Sequence, residues 1–206
     1  MGAMSPARCR LAATTRRCHL ALALTALVHG AAHADAGLLS PARWRALDPP
    51  TLVARLGLHP NDVVADVGAG PGLFTLPLAR AVPRGRVIAT DVRADFLDEL
   101  ARRAAAAGLR NVETQRVARD RPGLAPRSID LAWLCQVDQF LPDRAAYVRA
   151  LVTALRPRGR VVIVNFRRDR EAARRALRDS GLRTVEDAPL GDRYFVLVGR
   201  CDSCRR

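Results

Sequence analysis

The sequence predicts an α/β domain built on a doubly wound, mostly parallel sheet. Three observations predict it. Short apolar runs bounded by turn residues alternate with longer segments of helical spacing along most of the 206 residues. One run, Ile129-Asp130-Leu131-Ala132-Trp133-Leu134-Cys135, is apolar at nearly every position, as a strand covered on both faces requires. Another, Val63-Val64-Ala65-Asp66-Val67, leads into Gly68-Ala69-Gly70-Pro71-Gly72 and then an apolar helical pattern at Leu73, Leu76 and Ala79.

In chain order, residues 40–58 read as two helical pieces broken at Asp48-Pro49-Pro50, where proline suits the first turn of the second piece. The strand at 63–67 and the glycine loop follow. Arg86-Val87-Ile88-Ala89-Thr90-Asp91 is the second strand, and residues 94–107 form an alanine-rich helix with Phe96, Leu97, Leu100 and Ala104 on one face and Gly108 as its stop. Residues 111–117 are a third strand, before an irregular stretch to Arg127 containing Pro122, Gly123 and Pro126. After the fourth strand, Pro142-Asp143 opens a helix with Tyr147, Val148, Leu151 and Leu155 at helical spacing. Residues 155–159 turn into a fifth strand at 160–164. An arginine-rich helix over 170–180, stopped by Gly181, precedes two closing strands near 182–185 and 193–198.

The first 34 residues carry Arg8, Arg10, Arg16 and Arg17 and no acid, then an apolar run from Leu20 to Val28, then Ala32-His33-Ala34. A basic start, a short apolar stretch and a small-x-small end predict a cleavable secretory signal and a periplasmic or secreted domain. The apolar run is too short to span a bilayer as a helix. Thr15-Arg16-Arg17 hints at twin-arginine export, but His19 stands where that pattern has a large apolar residue. The expected organisation is a signal over 1–34, a helical lead-in over 35–60, the main domain over 61–199 and a polar tail over 200–206.

All 34 basic residues are arginine, against 20 acids, giving a formal charge of +14. An all-arginine complement reads as a compositional habit, and an aromatic fraction of 4% leaves few platforms for stacking bases, which argues against nucleic acid as partner. Peripheral contact with an anionic membrane surface suits the same charge. Beyond residue 34 only His59 remains of the histidines, so a zinc site built on histidine and cysteine is not expected, and no metal is. Cys135 reads as an inert core thiol, and Cys201 and Cys204 as a small-loop disulfide or a frayed tail.

The glycine loop carries the functional expectation. Three glycines at every second position let a ligand approach the backbone, and the following helix start offers N–H groups to an anion. Asp66 sits two residues before the loop, and Asp91 closes the next strand. This set resembles the nucleotide site of class I S-adenosylmethionine-dependent methyltransferases. A dinucleotide site is the competing reading, but its loop runs Gly-x-Gly-x-x-Gly, unlike Gly68, Gly70 and Gly72 with Pro71; a plain tight turn is the third.

The resemblance covers roughly residues 40–199 and is nearest to the ubiquinone/menaquinone-methyltransferase-like branch, with its small exported members. It implies a seven-stranded sheet in the order 3-2-1-4-5-7-6 with the last strand antiparallel. It also implies S-adenosyl-L-methionine as cofactor, with Asp66, Gly68, Ala69, Gly70 and Gly72 toward the methionine end, Asp91 on the ribose and Val92 beside the adenine. Asp120 would reach the adenine amine, and the backbone at Cys135 and Gln136 would cap the cofactor. Relatives often carry an acid and a histidine pair after strand four and an acid after strand five. Here the residues are Gln136, Val137, Asp138, Gln139 and Phe140, then Asn165. Asp138 is the nearby candidate base. The expected function is methyl transfer to a small-molecule or lipid-like acceptor, with a catalytically silent cofactor binder and a nucleic-acid-directed enzyme as the alternatives.

Overall fold

A computed structural model describes residues 37–202. The expected signal sequence, the three histidines before residue 34 and Cys204 lie outside the described residues. From Leu38 onward the described chain is one unit. Its seven strands are β1 (Val63–Val67), β2 (Arg86–Asp91), β3 (Val112–Arg116), β4 (Ile129–Cys135), β5 (Leu155–Phe166), β6 (Arg183–Leu190) and β7 (Tyr194–Arg200). They form one sheet in the order β3-β2-β1-β4-β5-β7-β6. Every pair from β3 to β5 is parallel, and β7 is antiparallel to both β5 and β6. This is the predicted order.

Strand alternation sorts the core onto two faces. Val63, Ala65, Val67, Ala132, Leu134, Val161 and Ile163 pack with helices α5 (Arg144–Ala154) and α6 (Arg170–Asp179). Val64, Val87, Leu131, Trp133, Val162 and Val164 pack with α1 (Pro41–Leu47), α2 (Pro49–Arg55) and α3 (Thr75–Ala81). Leu97 and Leu100 of α4 (Ala94–Ala106) close over Ala89 of β2. With both faces covered, the central strands bury nearly every side chain, which is why they read as continuous apolar runs.

Asp48 divides the helical lead-in. Its φ of 40° ends α1, its N–H bonding the Trp44 carbonyl, and its carboxylate caps α2 by accepting from the Thr51 N–H. Three boundaries differ from expectation. Helix α3 begins at Thr75 rather than at Leu73, because the chain first turns through Gly72 at φ 92°. Leu155 opens β5 instead of continuing α5: it pairs with Ile129, and a bulge then brings Arg160 opposite Leu131. The last two strands are longer than predicted because β6 stays paired with β7 through Leu190, Pro189 being tolerated on the sheet edge.

The chain stays docked beyond β7. Cys201 is buried and disulfide-bonded, and its N–H bonds the Gly159 carbonyl. Among the described residues no helix is long and apolar enough to cross a membrane.

Trp133 is fully buried at the sheet centre, 4.7 Å from the Phe74 ring, and its indole N–H has no partner among the described residues. Truncation should therefore cost volume but no hydrogen bond. Trp133→Ala is expected to lose about 3–5 kcal/mol and Trp133→Phe under about 1.5 kcal/mol, measured by urea unfolding of the two variants beside the parent.

Candidate functional site

The loop between β1 and α3 is shaped by a few internal hydrogen bonds. The Ala69 N–H bonds the Thr90 carbonyl at 3.0 Å, and the Gly72 N–H bonds the Ala69 carbonyl at 3.1 Å. The Gly70 N–H donates to one oxygen of Asp91 at 2.9 Å, and the Arg93 N–H donates to the other at 2.9 Å. From α4, the Arg103 guanidinium donates to the Pro71 carbonyl. The N–H groups of Ala69, Gly70 and Gly72 are thus committed inside the protein.

The glycines also divide by role. A Cβ on Gly68 would collide with Val137, and one on Gly72 with Leu100 of α4. Gly70 alone opens onto space, its nearest neighbour being Leu38 at 3.7 Å. Gly72 therefore serves helix packing and does not line the cavity, contrary to its expected place facing the ligand.

That cavity, about 260 Å³, lies over the carboxyl ends of β1, β2 and β4. Asp66, Gly68, Ala69, Gly70, Asp91 and Val92 wall one side, with Cys135 and Gln136 on the other. Gln136 adopts φ 57°, an unusual conformation for a residue with a side chain, while its N–H bonds the Val164 carbonyl. Asp66 is buried, and its carboxylate accepts from the Thr75 hydroxyl at 2.6 Å. Burial pushes its pKa up to about 7, partly offset by that bond and reinforced by the Asp91 charge. Burial likewise pushes the Cys135 thiol up to about 12, against a lowering effect of Arg43, so it is a poor nucleophile.

Two expected residues fall elsewhere. Asp120 is exposed beside Arg121, and Val117, Ala118 and Arg119 line the cavity in its place, because the chain leaving β3 turns outward after Arg119. Asp138 opens a short 3-10 turn but is only 1% exposed and lines neither this cavity nor its neighbour. The Asn165 side-chain amide donates to one of its oxygens at 2.5 Å, and the Arg144 guanidinium stands 3.3 Å from the other. Burial raises its pKa, the Asn165 bond and the Arg144 charge opposing that rise. A carboxylate turned inward this way braces the turn after β4 against the end of β5, so Asp138 is not placed as a base at the cavity.

Other lining residues were not singled out in the sequence. Leu38 and Arg43 come from the helical lead-in, Phe96 from α4, and Phe140, Leu141 and Tyr147 from the β4–α5 connection and α5. Only Val117, Ala118 and Arg119 had a local signal, since they follow directly on a strand that ends at the same sheet edge as Asp91. Among the described residues no group of three His, Cys, Asp or Glu side chains could hold a metal.

The residues fit a nucleoside ligand that carries both cationic and anionic groups: Asp66 and Asp91 line the cavity together with Arg43, Arg93 and Arg119, and the glycine loop leaves open space at one position, Gly70. Similarity to known proteins agrees. The fold is that of class I S-adenosylmethionine-dependent methyltransferases, and part of the sequence is similar to methyltransferase domains. Residues 65–161 match the family model described as a methyltransferase domain. The chain is 31% identical over 157 residues to a trans-aconitate 2-methyltransferase from Azoarcus sp. strain BH72, covering 71% of this chain and 59% of that protein. The chain therefore spans under two thirds of that curated relative's length. Among solved structures, an S-adenosylmethionine-dependent methyltransferase from Aquifex aeolicus superposes with a TM-score of 0.77 at 20% identity, over 82% of this chain and 97% of that one. A geranyl diphosphate methyltransferase in complex with GPP and sinefungin gives 0.66 at 15% identity, over 74% and 77%.

Asp66 gives a stability test. Its raised pKa means that the folded state holds a proton the unfolded chain has already released, so its contribution is complete below about pH 4 and is lost as pH rises through about 7. Each tenfold difference in proton affinity between the folded and unfolded states is worth about 1.4 kcal/mol. The wild-type protein is therefore expected to lose more stability than Asp66→Asn between about pH 5 and pH 8. Urea unfolding curves collected across that interval measure the difference in slope.

Proposed function

We propose that this chain transfers the methyl group of S-adenosylmethionine to a small-molecule or lipid-like acceptor. The observation that carries the reading is Asp91, which holds the Gly70 and Arg93 N–H groups while its carboxylate lines the cavity. Each carboxylate oxygen has a second lone pair, and in this reading those lone pairs accept the ribose hydroxyls. Gly70 admits the amino-acid end, buried Asp66 balances its positive charge, and Val92 with Val117 and Ala118 flanks the adenine. Cys135 and Gln136 close the cavity from β4.

When bound, the cofactor would supply an electrophilic sulfonium methyl to a lone pair of the acceptor, with S-adenosylhomocysteine as the leaving group. With Asp138 turned inward, proton removal from the acceptor has no help from that residue. The reading therefore favours acceptors that arrive as nucleophiles, such as an amine, a thiolate or a phenolate, over those that need a strong general base, help commonly worth about 10²–10⁴-fold. The names of the two relatives above, which act on trans-aconitate and geranyl diphosphate, support a small-molecule acceptor. We place the chain within the ubiquinone/menaquinone-methyltransferase-like branch on its sequence motifs alone.

Asp91→Ala is expected to weaken S-adenosylmethionine by one to two decades or more, since charge-assisted hydrogen bonds are worth roughly 1.5–3 kcal/mol each. The variant should also melt earlier, because the Gly70 and Arg93 N–H groups lose their acceptor. Calorimetric titration and a melting curve read both effects; unchanged affinity would place the ribose elsewhere. Cofactor binding without S-adenosylhomocysteine release from any acceptor would favour the silent binder.

We further infer export, on the basic and apolar character of residues 1–34. N-terminal sequencing of protein from the cell envelope is expected to begin at Asp35, after cleavage at Ala34; an intact Met1 or Met4 on cytosolic protein would refute this.

A further inference from the structure

A second, wider depression of about 670 Å³ adjoins the cofactor cavity and shares two residues of its wall, Arg43 and Gln136. It is built at the carboxyl edge of the sheet by three elements. Arg43 comes from α1, Phe166 ends β5 with Arg167 and Arg168 just beyond it, and Tyr194 opens β7 with Arg193 just before it. The pairing of Phe166 with Tyr194 across β5 and β7 sets their rings 5.2 Å apart and brings the arginines that flank them to one rim. The lining holds four arginines and no acid.

Elsewhere among the described residues, several clustered arginines face carboxylates. Arg170 and Arg174 share Asp187, Arg183 and Arg200 share Asp202, and Arg144 lies between Asp138 and Asp169. The rim of the depression departs from that pattern. Among the described residues Arg193 has no side-chain partner, and the Arg167 guanidinium donates only to the Gly191 carbonyl at 3.2 Å. Arg168 lies over the Phe166 ring with Asp169 at 3.6 Å. Arg43 is the most telling. Its Nε is buried with no partner, one terminal nitrogen reaches the Leu38 carbonyl only at 3.4 Å, and the side chain also meets the Cys135 thiol, a weak acceptor. A desolvated guanidinium donor without an acceptor is costly, and the convergence of like charges adds to that cost. A carboxylate or phosphate removes both costs, and the planar fork of arginine matches either group.

We propose that this depression is the acceptor subsite and that it selects a small acceptor bearing a fixed anionic group, a carboxylate or a phosphate, which docks on Arg43 and Arg193. The inference rests on the methyltransferase reading, because the shared wall at Arg43 and Gln136 is what sets the bound anion beside the cofactor. The aromatic pair Phe166 and Tyr194 offers the acceptor's apolar part a floor.

The test is calorimetric titration of the protein, saturated with S-adenosylhomocysteine, with three probes: citrate, phenyl phosphate and uncharged phenol. Citrate and phenyl phosphate separate the carboxylate from the phosphate source. Either anion is expected to bind, and phenol to bind more weakly by about tenfold or more. Arg193→Gln and Arg43→Gln should each weaken the anion by about tenfold or more, with Arg193→Lys recovering part of the loss. S-adenosylhomocysteine affinity should be unchanged in Arg193→Gln. Arg102→Gln, an equal change of net charge on exposed α4, is the control and should leave the anion within about twofold. Equal binding of phenol and the anions, or an equal loss in Arg102→Gln, would overturn the subsite while leaving the cofactor reading intact. Failure of S-adenosylhomocysteine to bind would instead overturn the cofactor reading, and the acceptor role with it.

Discussion

The carboxylate of Asp91 joins parts of the chain that would otherwise be independent. It ends β2, accepts the Gly70 N–H from the loop after β1, and accepts the Arg93 N–H at the entry to α4. Two parallel strands and the start of a helix are thereby locked at one edge of the sheet. The cavity depends on that lock, because Gly70 is the one loop glycine with open space where a side chain would stand. In the proposed function the atoms that shape the loop are also those that accept the ribose, so building the site and binding its ligand would draw on a single group.

Charge is arranged around that lock in two opposite ways. In the cavity over β1, β2 and β4, two acids stand in the wall beside Arg93 and Arg119: Asp91, and Asp66 with its pKa pushed up to about 7 by burial. Such a group gains from a cation placed near it, which suits a sulfonium or an ammonium group. On the neighbouring side the wall is arginine without acid. Arg43 and Gln136 form the boundary between the two.

Asp138 shows why a chemical role is harder to read than a binding loop. Its position after β4 made it the nearest ionisable group to the expected reaction centre. Its direction was decided by Asn165, at the end of β5, and by Arg144, at the start of α5. Those partners draw the carboxylate into the interior. In a loop only a few residues long, backbone position and side-chain direction are separable, and distant neighbours choose the direction.

What the sequence determined alone was local in origin. Alternation of apolar runs with helical spacing specified the strands and helices, since strand and helix periods are properties of the backbone. The glycine run and the two acids near strand ends located the loop that walls the cavity, because positive φ and the lack of a Cβ are features of single residues. Asp48 with its two prolines marked the break in the lead-in for the same reason. Tertiary structure decided the rest. It assigned Gly68 and Gly72 to packing against Val137 and Leu100, extended β5 back to Leu155, and kept Cys201 in the core. It also brought Arg43, more than a hundred residues before Arg167 and Arg193, to the same depression. No local pattern encodes that meeting, because it follows from how the lead-in helix crosses the sheet and where β5 and β7 end beside each other.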